Sequence, residues 1–422
     1  MNMTETVASD EMSREALIQA YLAVRHETES ICAPLEIDDF QIQSITETSP
    51  PKWHLAHVTW FFETFLLAPY VKGYEAHDAG FAYLFNSYYE TVGRMHPRPR
   101  RGLLSRPTVK QVLDYRAAVD ERMVALLQGV DGADLGDVAF RVTLGLNHEQ
   151  QHQELLFMDI KHNFWVNPLK PAYRQELLTG AVDEVAPLNW LERDGGQVEM
   201  GHEGSGFAFD NETPRHPVLL QDHRLASRTV TNGEFLEFMA DGGYGRPELW
   251  MADGWALIRD HQWEYPLYWQ PAADAWSEFT LGGMRPMNPD RPVCHLSFYE
   301  ADAFARWRGK RLPSEAELES VLAEQSPVGN FADSGHLHPV AGEGHWFGNL
   351  WEWTASPYTA YPGFRPLAGS MGEYNGKFMC NQMVLRGGCC ATPAGHVRPS
   401  YRNFFYPHDR WAFTGLRLAE DA

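Results

Sequence analysis

Apolar residues recur at helical spacing through the first 165 residues of the chain. Over residues 12–30 they fall at Leu17, Tyr21 and Val24. Pro50 and Pro51 suit a first turn, so a second helix is expected to open there and run through WHLAHVTWFFETFLL. A third is expected from Thr108, with Gln111 three residues on completing a capping box and Val109, Val112 and Leu113 on its apolar side. The fourth is expected over residues 137–163, centred on GLNHEQQHQELLFMDIKH. Four helices joined by one long connection, residues 70–107, predict a bundle, whose interior is a usual place for a metal site.

The pattern changes after Pro168 and Pro171. From about residue 187 Gly, Pro and Trp become frequent and helical periodicity fades. An N-terminal bundle over 1–165, a linker over 166–186 and a second domain over 187–422 are therefore expected, in line with a chain of 422 residues. Two short helices are predicted in the second part, from the S-x-x-E capping boxes at Ser297–Glu300 and Ser314–Glu317. The rest reads as short strands and long ordered loops, which makes the fold class α+β. No repeats or low-complexity segments are evident.

The formal net charge of -21, from 35 basic and 56 acidic residues, argues against a nucleic-acid partner. A local basic run nevertheless stands out, from Arg94 through Arg98 to Arg100 and Arg101. The opening MNMTETVASDEMSREAL has no basic region followed by an apolar stretch, and no run of about 18 apolar residues occurs. No secretory signal and no membrane span are expected, and the location expected is cytoplasmic. Five cysteines, an odd number without metal-finger spacing, read as reduced thiols. A bridge between the adjacent Cys389 and Cys390 would be strained.

His148 and His152 are four residues apart on a predicted helix, about 40° apart around its axis. Both imidazoles can reach one metal ion. Gln151 lies about 60° to one side and faces the same cavity, whereas Glu154, about 240° round, points away and suits a role behind or between the helices. Such a pair also arises by chance on a helix. In the second helix His54 and His57 sit among Trp53, Trp60 and Phe61, where an unpaired imidazole would be costly. Either could be a satisfied core histidine. Together the two helices could supply three imidazoles and leave positions open for substrates and O2. Neutral ligands leave the metal's charge uncompensated, which favours an incoming thiolate.

At these residues the chain resembles the ergothioneine-pathway sulfoxide synthases, the hercynine oxygenase family. Its N-terminal part looks like their DinB-like bundle, with H-x3-H-x-E met by His148, His152 and Glu154. The C-terminal part resembles the formylglycine-generating-enzyme fold, a C-type-lectin-like domain. The matching elements are RLPSEAELE (311–319), GNLWEWTASPY (348–358), VLRGG (384–388), SYRNFF (400–405) and TGLRL (414–418). The resemblance implies that His57, His148 and His152 hold iron(II), Fe(2+), with His54 a neighbour. It implies that Gln151, Asn403 and Phe404 hold the betaine, and that Tyr88 and Tyr89 are the active-site tyrosines of the branch using free cysteine. The basic run would place an arginine, Arg94 or Arg98, on the amino-acid carboxylate, where a guanidinium fork fits. The branch using a γ-glutamyl dipeptide has an acidic residue near Phe405, so an uncharged phenylalanine there favours a smaller donor.

Joining C–H to S–H removes two electrons and making the sulfoxide removes two more. One O2 accepts all four, so no organic cofactor is required, in keeping with the lack of a convincing dinucleotide or P-loop motif. A tyrosine hydroxyl, foremost that of Tyr89, would supply a proton or hydrogen atom. The expected reaction joins cysteine to C2 of hercynine to give hercynylcysteine S-oxide. A sibling reading keeps fold and iron but takes a seleno-sugar donor, as a selenoneine synthase, prompted by Cys389 where relatives carry serine. The ovothiol-pathway ligase usually has a methyltransferase domain that is missing here. A DinB-like metal-dependent thiol transferase would not need the second domain. A formylglycine-generating activity lacks its cysteine pair, whose places hold Thr392 and Val397. The histidine set counts against a non-catalytic lectin-like module.

Overall fold

Ser13 caps the first helix, α1 (Arg14–Cys32), by accepting from the Ala16 amide at 3.2 Å. This computed structural model describes residues 13–177, 185–273, 275–342 and 344–422. α2 (Pro51–Phe62) opens on proline, as expected, and every one of its residues is buried. A helix apolar on all sides belongs at the centre of its unit. It continues through a wide π turn at Glu63–Leu67, where the buried Glu63 carboxylate accepts from Tyr115, Tyr74 and the His77 amide at 2.5, 2.7 and 2.8 Å. The long connection is not bare loop, since it holds α3 (Phe81–Phe85) and a 3-10 turn over Arg98–Leu103. α4 (Val109–Gly129) has the Thr108–Gln111 capping box, but Leu113 is exposed and Tyr115, Val119 and Met123 form its buried side instead. α5 (Gly132–Val166) is longer at both ends than its apolar period indicates.

These helices form one compact unit, residues through Asn163, which also takes in Glu203–Phe209 and Pro366–Tyr374. Its interior holds an ionic cluster linking α1, α4 and α5. Arg25 bonds to Asp120 at 2.7 Å and to Glu149 at 2.9 Å, Arg116 reaches the other Glu149 oxygen at 2.6 Å, and the Thr28 hydroxyl donates to it at 2.7 Å. Burial alone would raise the Glu149 carboxyl, but Arg116 and Arg25 overcome it and hold the group at about 2. Next to this cluster α2 and α5 come close at Gly145. A Cβ built on that glycine would lie 2.6 Å from Phe62 and 2.9 Å from Phe61.

The second unit comprises Phe164–His202, Asp210–Arg365 and Asn375–Ala422. Its strands are β1 (Trp190–Arg193), β2 (Gly196–Met200), β3 (His216–Leu220), β4 (His223–Thr229), β5 (Trp269–Ala272), β6 (Ala275–Thr280), β7 (Gly283–Pro286), β8 (Trp351–Pro357), β9 (Met383–Arg386), β10 (Asn403–Phe405), β11 (Thr414–Gly415) and β12 (Arg417–Asp421). They form sheets of order β1-β4-β12, β10-β9-β8-β11, β2-β3 and β5-β6-β7, antiparallel except for β11 beside β8. The predicted capping boxes open α8 (Phe298–Trp307) and α9 (Glu315–Leu322). Two further helices, α6 (Asn232–Ala240) and α7 (Ala252–Asp260), escape the sequence reading. α6 has its own signal, a Thr231–Glu234 capping box.

The motifs that carry the resemblance pair with one another inside this unit. Glu315 of RLPSEAELE makes two 3.0 Å bonds to Arg402 of SYRNFF, and Glu319 binds Arg386 of VLRGG. Glu352 of GNLWEW takes Arg417 of TGLRL at 2.9 and 2.8 Å. Two-pronged guanidinium–carboxylate bonds fix geometry as well as charge. Among the described residues no disulfide is formed, four cysteines are buried, and Cys380 is exposed. Among the described residues no helix is long and apolar enough to cross a membrane.

Replacing Glu149 by glutamine leaves two buried guanidiniums facing a neutral group. The Glu149→Gln unfolding free energy, read from urea titration of the helical signal, is expected to fall by about 3–5 kcal/mol. The folded carboxyl, at about 2, lies below its ordinary 4.5. The wild-type advantage is therefore complete above that ordinary value and shrinks as pH falls toward 2.

Candidate metal centre

α2 and α5 each contribute a histidine pair at helical spacing. His57, His148 and His152 are buried, and one ligand atom from each lies within 4.8 Å of the others. Among the described residues this is the group of side chains that could hold a metal ion. Glu154, buried on α5, is not in it.

Hydrogen bonds fix which nitrogens face inward. His57 Nδ1 lies 2.6 Å from the Phe85 carbonyl at the end of α3. A carbonyl only accepts, so Nδ1 carries the proton and Nε2 presents its lone pair. That Nε2 is 3.2 Å from His148 Nε2. The His152 Nδ1 atom is engaged by His54, which leaves Nε2 as its ligand atom. A single proton on His148 could serve one of these converging lone pairs, whereas a metal ion serves all three. Two nitrogens bound at right angles at about 2.1 Å would stand about 3 Å apart, close to the 3.2 Å between His57 and His148. His148 Nδ1 is buried with no hydrogen-bond partner. The donor set fits a divalent first-row metal with positions left open.

Burial pushes the His148 imidazole down to about 4. It also holds His57 and His152 well below the ordinary imidazole range, helped by the neighbouring imidazoles, and lowers His54 against the pull of Asp159. At neutral pH all four rings are uncharged, the form that binds metal. The wall is aromatic: Trp53 stacks on His57 at 4.6 Å and 11°, Trp60 at 5.8 Å, and Phe61 lies 5.0 Å from His148. Behind Trp53 the buried Arg101 guanidinium sits 3.3 Å from the ring centroid, bonded to Ser49 and Ser87 hydroxyls at 2.9 Å each. Burial lowers Arg101 to about 9, which still leaves it largely cationic at neutral pH. With a metal ion in place, this side of the bundle attracts anions.

Of the other sequence candidates, Gln151 accepts from the Tyr374 hydroxyl at 3.1 Å, and the Tyr374 ring stands edge-on to His148 at 5.9 Å. Tyr374 arrives on the Pro366–Tyr374 segment, where Glu373 accepts from the amides of Glu90 and Thr91 at 3.1 and 3.0 Å. Tyr88, in a left-handed backbone conformation at φ 69°, receives a 2.7 Å bond from Arg98. Tyr89 is buried with its ring on Trp60 and Phe65, at 5.8 and 5.1 Å. Arg94 is exposed. Asn403, Phe404 and Phe405 belong to the second unit, on β10. There Phe404 stacks on Tyr358 at 4.1 Å and Phe405 meets Trp411 at 5.4 Å. Cys389 is buried, its amide donating to the Thr392 hydroxyl at 2.9 Å.

Sequence reasoning named Arg101 only as the end of the basic run, and it missed Asp159 and Tyr374. A signal existed for Asp159, seven residues after His152 and so about 20° from it around α5. Tyr374 had none, because it comes from a segment more than 200 residues away in the chain.

The sulfatase-modifying factor enzyme 1-like domain family matches residues 190–342 and 323–422, together more than half of the chain. The DinB superfamily matches residues 20–156. Hercynine oxygenase of Mycolicibacterium smegmatis is 29% identical over 445 aligned residues, covering 97% of this chain and 100% of that protein. The enzyme of the same name from Mycolicibacterium thermoresistibile is 29% identical over 410 residues, 88% of this chain and 87% of its own. That of Mycobacterium tuberculosis reaches 33% over 242 residues, 51% and 56%.

One equivalent of divalent metal is expected in the full chain after loading and dialysis. His57→Ala, His148→Ala and His152→Ala should each weaken binding by more than the about 100-fold that loss of an outer partner can cause. Full occupancy in His57→Ala, by elemental analysis, together with loss in His54→Ala, would move the ligand to His54.

Proposed function

Since the chain belongs to the sulfatase-modifying factor enzyme 1-like family, in its ergothioneine-pathway group with a DinB-type bundle, we propose that it is an O2-dependent oxygenase of hercynine. The metal is iron(II), the sulfur donor is cysteine, and the product is hercynylcysteine S-oxide. The observation that carries this reading is the set of three buried, uncharged imidazoles on α2 and α5, in a chain collinear with hercynine oxygenases. Iron(II) held there supplies redox chemistry with O2 that no side chain of the protein can.

The reaction balances without a further reductant. The C2–H and S–H bonds break, the C–S and S–O bonds form, and the second oxygen atom leaves as water with both hydrogens. The protein's share is orientation, charge and one proton. Three neutral ligands and the Arg101 and Arg98 guanidiniums draw in an anionic thiolate and its carboxylate. Gln151, held by Tyr374, offers an amide to the betaine. Asn403, Phe404 and Phe405 are assigned to the same substrate on the resemblance. The phenols of Tyr88 and Tyr89, with that of Tyr374 beside His148, supply the proton that oxygen reduction consumes. Aromatic walls at Trp53, Trp60 and Phe61 keep water from the reacting atoms.

Anaerobic loading with iron(II), followed by O2-uptake assays with hercynine and each donor in turn, tests the reading. Cysteine is expected to give one S-oxide per O2, with γ-glutamylcysteine and a selenol donor much slower. Fast turnover of the selenol donor would favour selenoneine chemistry, and no hercynine-dependent uptake would sink the proposal. If a phenol protonates oxygen, its Phe variant loses C–S bond formation by about 10²–10⁴-fold, with substrate affinity little changed. Product partition between S-oxide and cysteine sulfinic acid, measured in Tyr88→Phe, Tyr89→Phe and Tyr374→Phe at equal iron content, identifies that phenol. Wild-type partition in all three would reduce them to packing.

A further inference from the structure

His54 sits one turn before His57 on α2, and both its ring nitrogens are engaged. Nε2 lies 2.9 Å from Asp159 Oδ2, and Nδ1 lies 2.8 Å from His152 Nδ1. The same Asp159 oxygen accepts from the Ser49 amide at 2.8 Å, just before α2 begins. A carboxylate oxygen only accepts, so the His54 proton is on Nε2. A neutral imidazole has a single N–H, which makes His54 Nδ1 an acceptor. The proton in the 2.8 Å contact therefore belongs to His152 Nδ1, and the lone pair of His152 is on Nε2. Each step follows from the one before, back to a carboxylate that only accepts.

We propose that His54 is a positioning residue of the metal centre: backed by Asp159, it holds His152 as the Nδ1–H tautomer that turns Nε2 toward the metal. The inference rests on the three-histidine metal reading. Metal-binding histidines ordinarily give their second N–H to a carboxylate, a carbonyl or water, as His57 does to Phe85. His152 gives its proton to another imidazole, which hands the polarisation on to a carboxylate two turns further along α5. A ring on one helix thus orients a ligand on the other, and the α2–α5 packing and the ligand's tautomer become a single constraint. Ser49 also accepts from Arg101, so the same short stretch anchors the cation behind Trp53.

Cobalt(II), added to the full chain after chelation, serves as the probe, read by its ligand-field bands and by affinity. Wild type is expected to bind one equivalent. His54→Phe keeps a ring but offers no acceptor, and should weaken binding by about 10- to 100-fold and shift the bands at unchanged stoichiometry. His54→Gln restores an acceptor for His152 and a donor for Asp159, and should recover most of the affinity and the wild-type bands. Circular dichroism checks the fold of each variant, and if His54→Phe does not fold, His54→Gln decides by itself. Wild-type affinity and bands in a folded His54→Phe overturn the proposal. So does a loss in His54→Gln as large as in His54→Phe, because packing would then be the cause. Loss of the site in both, with binding kept in His57→Ala, makes His54 a ligand and overturns it too. Failure of wild type itself to bind cobalt(II) sinks the metal reading, a result distinct from the others.

Discussion

An imidazole in a dry core has to place both of its nitrogens, and four imidazoles packed together have to place eight. Around α2 and α5 the protein satisfies His54 twice, gives His57 the Phe85 carbonyl and gives His152 the His54 ring. Of the four nitrogens left over, three, one each from His57, His148 and His152, converge. A buried polar atom without a partner costs about 1–3 kcal/mol, so converging lone pairs are a standing destabilisation unless a cation occupies the space between them. Burial keeps the rings uncharged and withholds the alternative remedy of extra protons. Stability of this core and affinity for a metal are one quantity seen from two sides.

Charge is arranged to the same end. The chain as a whole is strongly acidic, yet the cations near the centre, Arg98 and Arg101, are bound to hydroxyls, a carbonyl and a ring face among the contacts described. Arg25 and Arg116, by contrast, are locked to carboxylates elsewhere in the bundle. Guanidiniums whose charge stays uncompensated are the ones that an incoming anion can use.

Much of this was legible in the sequence wherever the signal is local. The bundle helices show as apolar periodicity, capping boxes place α4, α8 and α9, and the i, i+4 spacing sets His148 and His152 on one face. Leu113 misled because an apolar residue beside a buried stripe looks the same in one dimension whether it faces core or solvent. Choosing between His54 and His57 was beyond spacing alone, since both belong to the same buried helix; the resemblance chose His57, and hydrogen-bond direction gives His54 its own task. Tyr374, and the place that Arg101 of the basic run takes behind Trp53, depend on where distant loops return, which no window of sequence encodes. In the second unit the recognisable motifs are the halves of ion pairs, Glu315 with Arg402, Glu319 with Arg386 and Glu352 with Arg417. These charged members of the motifs advertise the scaffold of that unit.

Gly145 gives the centre an unexpected ruler. A glycine inside a helix costs about 1 kcal/mol relative to alanine, and here the missing methyl is what lets the Phe61 and Phe62 rings lie against α5. Those rings sit on the helix that carries His57, one turn from His148 on the other. Metal–nitrogen bonds tolerate about 0.2 Å. The spacing of the candidate ligands is therefore gauged by a carbon atom that is not there, at a position with no charge and no polar side chain to draw attention to it.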